Sequence, residues 1–482
     1  MKIYLALFFF SLSLFAGDLR LASLFQDNMV VQRDQEFVIW GEAPANKKVD
    51  VQVAGQNASV KVSELGKWMI KLPALKASSA FEIKVTAGSE KKLIKNAVLG
   101  EVWICSGQSN MQMGWGGIPE IKKMAVNAKN IRTFKVNNTV SYQEEDYCQG
   151  SWVEAAPGSA VAAAFAVNLQ KSIICPIGII QASWGSSSVE GWMPMDMAEK
   201  LPHFKKELED CRANDKDKVA EILAKKKMSG KDNIFLRTRP NLLYNAMMHP
   251  LIPYSLRGVV WYQGEANTKS VEAMLQYGQT LPMWFQRYRQ EWDNENLQLM
   301  AVMLPGFGRN FTKGTTIESP DAQTWALMRE SQMKVLELDH TSVATTIDLG
   351  DVKNIHPKDK APIGERLALL ARRDVLKENI VAEGPVFKSQ QVNGSKIELS
   401  FDNSKGMKAK DGEAIKAFWI CDDSKSWKLA KAEIVGEKVV LSNAEVKKPL
   451  YVRYAYAAMP AVNLVNEADL PARPFRTDSF TP

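Results

Sequence analysis

The sequence predicts an α/β protein, a mainly parallel sheet with helices on both faces, flanked at each end by a β-sandwich-like module. Three patterns carry that prediction. Between Leu99 and about Val375, short apolar runs alternate five times with longer helical periodicities, the rhythm of β/α units. On either side of that stretch, short apolar/polar alternations are separated by Gly, Asn, Pro and Lys clusters, which is strand-and-turn patterning. The third is Val102–Met111, VWICSGQSNM, where an apolar strand-like run stops at Ser106-Gly107 and hydroxyl and amide residues follow at once.

In chain order, residues 1–16 (MKIYLALFFFSLSLFA) hold one Lys, then an apolar or hydroxyl run closed by a small residue. This is a signal-peptide pattern, short for a membrane anchor, and predicts an exported protein, periplasmic or extracellular. Residues 17–96 read as an N-terminal β-module with strands at Phe37–Trp40, Val49–Val53, Ser59–Val62 and Phe81–Val85. Trp40 and Trp68 read as core aromatics of that module rather than sugar platforms. Residues 97–378 form the α/β unit. Its strands are expected at Val102–Cys105, Ile177–Ala182, Gly258–Tyr262, Leu299–Leu304 and Val343–Leu349. Its helices are expected at Val161–Ile173, Leu201–Lys227, Val271–Glu291, Thr324–Leu338 and Pro362–Leu376, the second a charged surface excursion. Residues 379–482 read as a C-terminal β-module with strands at Lys396–Phe401, Ile415–Ile420, Val439–Leu441 and Leu450–Tyr456. The aperiodic tail Ala461–Asp478 is expected to pack back across the core.

The 482 residues are too many for one ordinary domain, and 46% hydrophobic with 24% charged residues is a globular balance. The net charge of +7, one unit of it from Lys2, is scattered among acidic residues and argues against a nucleic-acid partner. No segment after the leader reaches 18 uncharged apolar residues, so no membrane span is expected. The five cysteines fit no metal spacing. Cys105 and Cys175 read as buried thiols, which confines any disulfide to Cys148, Cys211 and Cys421. Walker, HExxH, CxxC, GxGxxG and GxSxG motifs are all absent, and neither metal nor cofactor is called for.

A strand that ends in a small-residue turn exposes the next side chains at the sheet's carboxyl edge, which makes Ser109 the candidate nucleophile. A helix beginning there would turn free N–H groups toward an oxyanion. Such chemistry needs a base, and there are four histidines: His203, His249, His340 and His356. His356 lies in a loop after the last strand-like run of the α/β unit, where catalytic partners gather. Asp351 is the choice for the group that orients it, with Asn354 or a backbone carbonyl as alternatives and Asp348 nearby at the strand end. The Ser109 N–H and that of Gly185, just after a strand, are candidate oxyanion donors.

Five blocks then carry a resemblance: GQSNM at 107–111, QASWG at 181–185, WYQGEAN at 261–267, IHPKDK at 355–360 and LPARPFRTD at 470–478. In this order they resemble the sialate O-acetylesterase branch of the SGNH hydrolase superfamily. The resemblance implies an SGNH-hydrolase-like (flavodoxin-like) sheet and a serine esterase acting on an O-acetylated sugar or glycan without a cofactor. It implies that the base lies in the IHP block at His356 and that Gly185 is the second-block donor. The third donor is then Gln263, with Asn267 as the fallback and a further candidate for substrate contact. Many members carry an Asp three residues before the His; here that position is Lys353, which leaves the third triad member open. Trp115 and Trp192 are candidate sugar-stacking surfaces. O-acetylated sialic acid is the first substrate expectation, with Arg309, Arg473 and Arg476 available for its carboxylate. Acetylated xylan is the alternative, and a non-catalytic carbohydrate-binding protein the alternative from another class.

Overall fold

The computed structural model describes residues 18–308, 316–320 and 323–480, so the leader at 1–16 and Arg309 lie outside the described residues. Seven strands matter for the site: β1 (Glu90–Gly107), β2 (Ile131–Lys135), β3 (Trp152–Val153), β4 (Ile177–Ser183), β5 (Gly258–Tyr262), β6 (Gln298–Val302) and β7 (Thr341–Ala344). They lie in the order β3-β2-β4-β1-β5-β6-β7, parallel throughout except for β3, which pairs antiparallel with β2 at the edge. Every residue of β4, β5 and β6 is buried, as are the last eight of β1, because both faces are covered.

The helices used below are α1 (Ser109–Gln112), α2 (Ala160–Gln170), α3 (Val271–Glu291), α4 (Gln323–Met333) and α5 (Ala361–Asp374). Trp103 of β1 stands beside Gly258 of β5, whereas Trp261 stands beside Ser106, so the two tryptophans project from opposite faces. Trp103 meets Phe165 of α2 edge-on at 5.3 Å, and Trp261 meets Trp284 of α3 at 4.2 Å, which sets α2 and α3 on opposite sides of the sheet. The alanine-rich α2 allows α5 to come so near that a Cβ on Gly364 would lie 2.4 Å from the Ala164 Cβ.

β1 is longer than expected and runs through the 96/97 boundary without interruption. Its first half pairs antiparallel with Phe81–Ala87, Val98–Gly100 pairs with Val30–Gln32, and its second half is the central strand of the α/β sheet. The strands Val30–Gln32, Lys48–Val53, Gln56–Lys61 and Phe81–Ala87 are thereby continuous with that sheet, which is mixed and eleven-stranded overall, while Arg20–Leu21, Phe37–Glu42 and Lys67–Leu72 form a separate three-stranded sheet. Buried Glu101 adds a tie, accepting from Arg33 at 2.6 Å and Arg257 at 2.7 Å. C-terminal to α5 lie two four-stranded sheets, and the tail adds Phe475–Arg476 to one of them. From there Arg476 reaches Glu330 of α4 at 3.0 Å.

β2 and β3 were not anticipated: IRTFK is short and half polar, and it reads as a strand only once β4 is beside it. The charged excursion forms Lys205–Leu223, shorter than expected because Pro202–Phe204 is a separate turn. Among the described residues no disulfide is formed, and Cys175, expected to be buried, is only half-buried in the loop before β4. Among the described residues no helix is long and apolar enough to cross a membrane.

Candidate active site

β1, β4 and β5 are the three central strands, and the blocks that follow them emerge side by side at one sheet edge. The turn after β1 depends on Gly107: its φ is +136°, and a Cβ there would lie 2.1 Å from the Tyr262 carbonyl oxygen. The Gln108 N–H then donates to that same oxygen at 3.0 Å, locking the turn to β5. Ser109 follows as the first residue of α1. The expected helix is a single turn, too short for a macrodipole of consequence; what it offers is the N–H of its first residue, which has no partner within the helix.

His356 Nε2 lies 2.8 Å from Ser109 Oγ, so two side chains 247 residues apart in sequence meet. The imidazole is half-buried, and burial, with the nearby Lys360 charge second, holds its pKa below the ordinary 6.5. At neutral pH the ring is therefore uncharged and can accept the serine proton.

The expected third member does not reach it. Asp351 Oδ1 accepts the N–H groups of Lys353 at 2.7 Å and Asn354 at 2.8 Å, and these bonds lower the pKa of its exposed carboxylate. A carboxylate captured by its own next turn organises a loop rather than a ring two turns away. Asn354 behaves likewise, accepting the His356 backbone N–H at 2.9 Å, and Asp348 is paired with Arg366 at 2.6 Å. Among the described residues no carboxylate is hydrogen-bonded to the imidazole of His356.

What holds the His356 loop is a group of residues centred on Asn110, to which sequence reasoning gave no role. Buried Asn110 donates through Nδ2 to Glu265 and, at 3.0 Å, to the Ile355 carbonyl; its Oδ1 accepts from Lys360 Nζ at 2.6 Å. Burial pushes Lys360 down to about 8 and pushes Glu265 up. The GQSNM, QGEAN and IHPKDK blocks are thus joined by one amide. Its signal in the sequence was a polar side chain directly after Ser109 in a run that is otherwise buried.

Gln263 is not the free oxyanion donor that was expected. It is fully buried, and its Nε2 faces Gln108 Oε1 at 3.1 Å, the Ser187 carbonyl at 3.1 Å and Asn267 Oδ1 at 2.8 Å. Asn267 is also spent internally, accepting from Val189 at 3.2 Å and donating to Glu190 at 2.8 Å, so neither the fallback donor role nor substrate contact suits it. Gln108 Oε1 collects the Ala266 N–H at 3.2 Å as well, and the whole set shapes the loop after β5. Gly185, by contrast, is beside Ser109: a Cβ built on it would lie 3.3 Å from Ser109 Cβ. Its N–H donates to Gln112 Oε1 at 2.8 Å.

Trp192 is fully buried, its Nε1 donating to Ser187 Oγ at 2.8 Å and its ring 6.1 Å from Trp261, so it is core and not a stacking surface. Trp115 is half-buried, its Nε1 held by the Pro157 carbonyl at 2.8 Å. Arg473 and Arg476 are engaged with Glu383 at 2.6 Å and Glu330 at 3.0 Å and offer no free fork to a substrate carboxylate. His249 sits 2.8 Å from the Glu145 carbonyl and His340 occupies the turn before β7, away from Ser109.

Residues 99–226 and 228–372 match the family described as carbohydrate esterase, sialic acid-specific acetylesterase. The chain is similar to the sialate O-acetylesterase of Mus musculus, 26% identical over 92% of this chain and 90% of that one. It is also similar to that of Homo sapiens, 26% identical over 76% of this chain and 73% of the other. Among solved structures, a carbohydrate acetylesterase from Xanthomonas citri superposes with a TM-score of 0.82 at 31% identity, covering 96% of this chain and all of that one.

Proposed function

Because the chain belongs to the sialic acid-specific acetylesterase family of carbohydrate esterases and is a carboxylic ester hydrolase, we propose that it removes O-acetyl groups from sialic acid through an acyl-enzyme on Ser109. His356 Nε2 takes the hydroxyl proton as Oγ attacks the acetyl carbonyl. The tetrahedral oxyanion is held by the backbone N–H groups of Ser109 and Gly185. His356 returns the proton to the departing sugar oxygen, and water then releases acetate by the same steps in reverse order. The single observation carrying this reading is the 2.8 Å approach of Nε2 to Oγ beside the Gly185 N–H. The imidazole is oriented by its loop rather than by a carboxylate, a dyad with Asn110 supporting the Ile355 carbonyl.

The relative from Xanthomonas citri is described only as a carbohydrate acetylesterase, which favours a second reading in which the substrate is an acetylated polysaccharide such as xylan. Acetate release from O-acetylated sialic acid and from acetylated xylan, by wild type and Ser109→Ala, separates the two. We expect faster release from the sialic acid ester and none above background in the variant. Faster release from xylan would favour the second reading, and an active Ser109→Ala would end the acyl-enzyme scheme. The leader-like residues 1–16 support export, which fractionation of producing cells would test.

A further inference from the structure

We propose that Gln112 is a latch on the acyl-oxygen pocket, its side-chain carbonyl occupying the Gly185 N–H until the ester displaces it. The inference rests on the Ser109–His356 reading and adds a positioning residue to it. Ser109 and Gln112 are three residues apart on the one turn of α1 and so share a face. Gln112 Oε1 lies 2.8 Å from the Gly185 nitrogen. A Cβ on Gly185 would be 3.1 Å from that oxygen and 3.3 Å from Ser109 Cβ, so amide oxygen and nucleophile flank one small space. The polarity is fixed by the donor: an N–H can be met only by the oxygen end of the amide. A carbonyl oxygen thus sits where the acetyl carbonyl oxygen has to bind.

The latch is built to move. The Gln112 backbone is held by its N–H to the Gln108 carbonyl at 2.8 Å, while its side chain is half-buried, so release needs only side-chain torsions. The free enzyme gives up one hydrogen bond that bound ester and transition state both replace. Such a uniform term acts on KM and leaves kcat little altered.

Gln112→Ala should therefore lower KM for a small acetyl ester by about two- to tenfold, the net worth of one hydrogen bond, with kcat changing less. Gln112→Met, which keeps the bulk and loses the acceptor, should move KM in the same direction and serves if the alanine variant folds poorly. Gln112→Glu, a stronger acceptor carrying negative charge, should raise KM and recover as the pH falls through the carboxylate range. A residue that merely props the Gly185 loop would give the opposite sign, a higher KM or a lower kcat in the alanine and methionine variants. An unchanged or raised KM in a natively folded variant overturns the latch. If Ser109→Ala is inactive while that happens, the latch alone falls; if Ser109→Ala retains activity, the underlying scheme falls first.

Discussion

The two loops that meet at the site are built on different principles. The Ser109 turn continues a strand whose last eight residues are buried, and Gly107, the Gln108 N–H and the Gln108 side chain tie it to β5. The His356 loop crosses the surface, with residues 351–354 exposed, and is located by a few hydrogen bonds from Asp351, Asn354 and Asn110. Ser109 owes its position to packing; His356 owes its position to pins. A rigid alcohol beside a pinned imidazole concentrates sensitivity in the one buried pin, Asn110.

The comparison can be broken at several points. Ser109→Ala and His356→Ala should each cost about 10⁴-fold or more in kcat, measured by acetate release; retained activity in either would remove its loop from the chemistry. Asn110→Ala frees the Ile355 carbonyl and strands Lys360 and Glu265, and a base displaced by even 1 Å costs about 10²-fold. A wild-type kcat in that variant would mean the surface loop holds itself.

The pH profile sharpens the same contrast. In the proposed scheme the neutral imidazole is the working form, so kcat/KM should fall on the acid side with a midpoint below the ordinary 6.5, as burial and the Lys360 charge dictate. Lys360→Met removes the second of those causes and should move the midpoint upward; an unmoved or lower midpoint would show that Lys360 does not act on the ring. The smallest effect is expected of Asp351→Ala, an exposed loop residue whose loss should change kcat/KM only about twofold. A loss as deep as that of His356→Ala would restore the carboxylate as the orienting group.

The α/β rhythm was legible because buried parallel strands write themselves as unbroken apolar runs: Gly258–Tyr262 and Val271–Glu291 were read to the residue. Ile131–Lys135 was not, since an edge-side strand carries half its pattern in its neighbours. The site divides in a similar way. A small-residue turn after a buried strand announces an exposed side chain, and a histidine in a late loop announces a partner, so Ser109 and His356 could be paired before any coordinates. Gln263, Asn267 and Trp192 were misassigned for one reason: nothing local tells an amide or indole aimed at a ligand from one closed on its own fold.

The sequence alone, then, determined the alternation of the five strands and five helices it named in the α/β unit and the turn that lifts Ser109, which follow from periodicity and chain order, and it offered His356 as the candidate base with the help of the family resemblance. Only the tertiary structure decided which polar groups remain free. Asp351 spends its carboxylate on the loop, Gln263 spends its amide on the core, and Asn110 gathers three blocks from across the chain. Hydrogen-bond partnership is settled by distance in space, and distances between segments hundreds of residues apart exist only once the chain has folded.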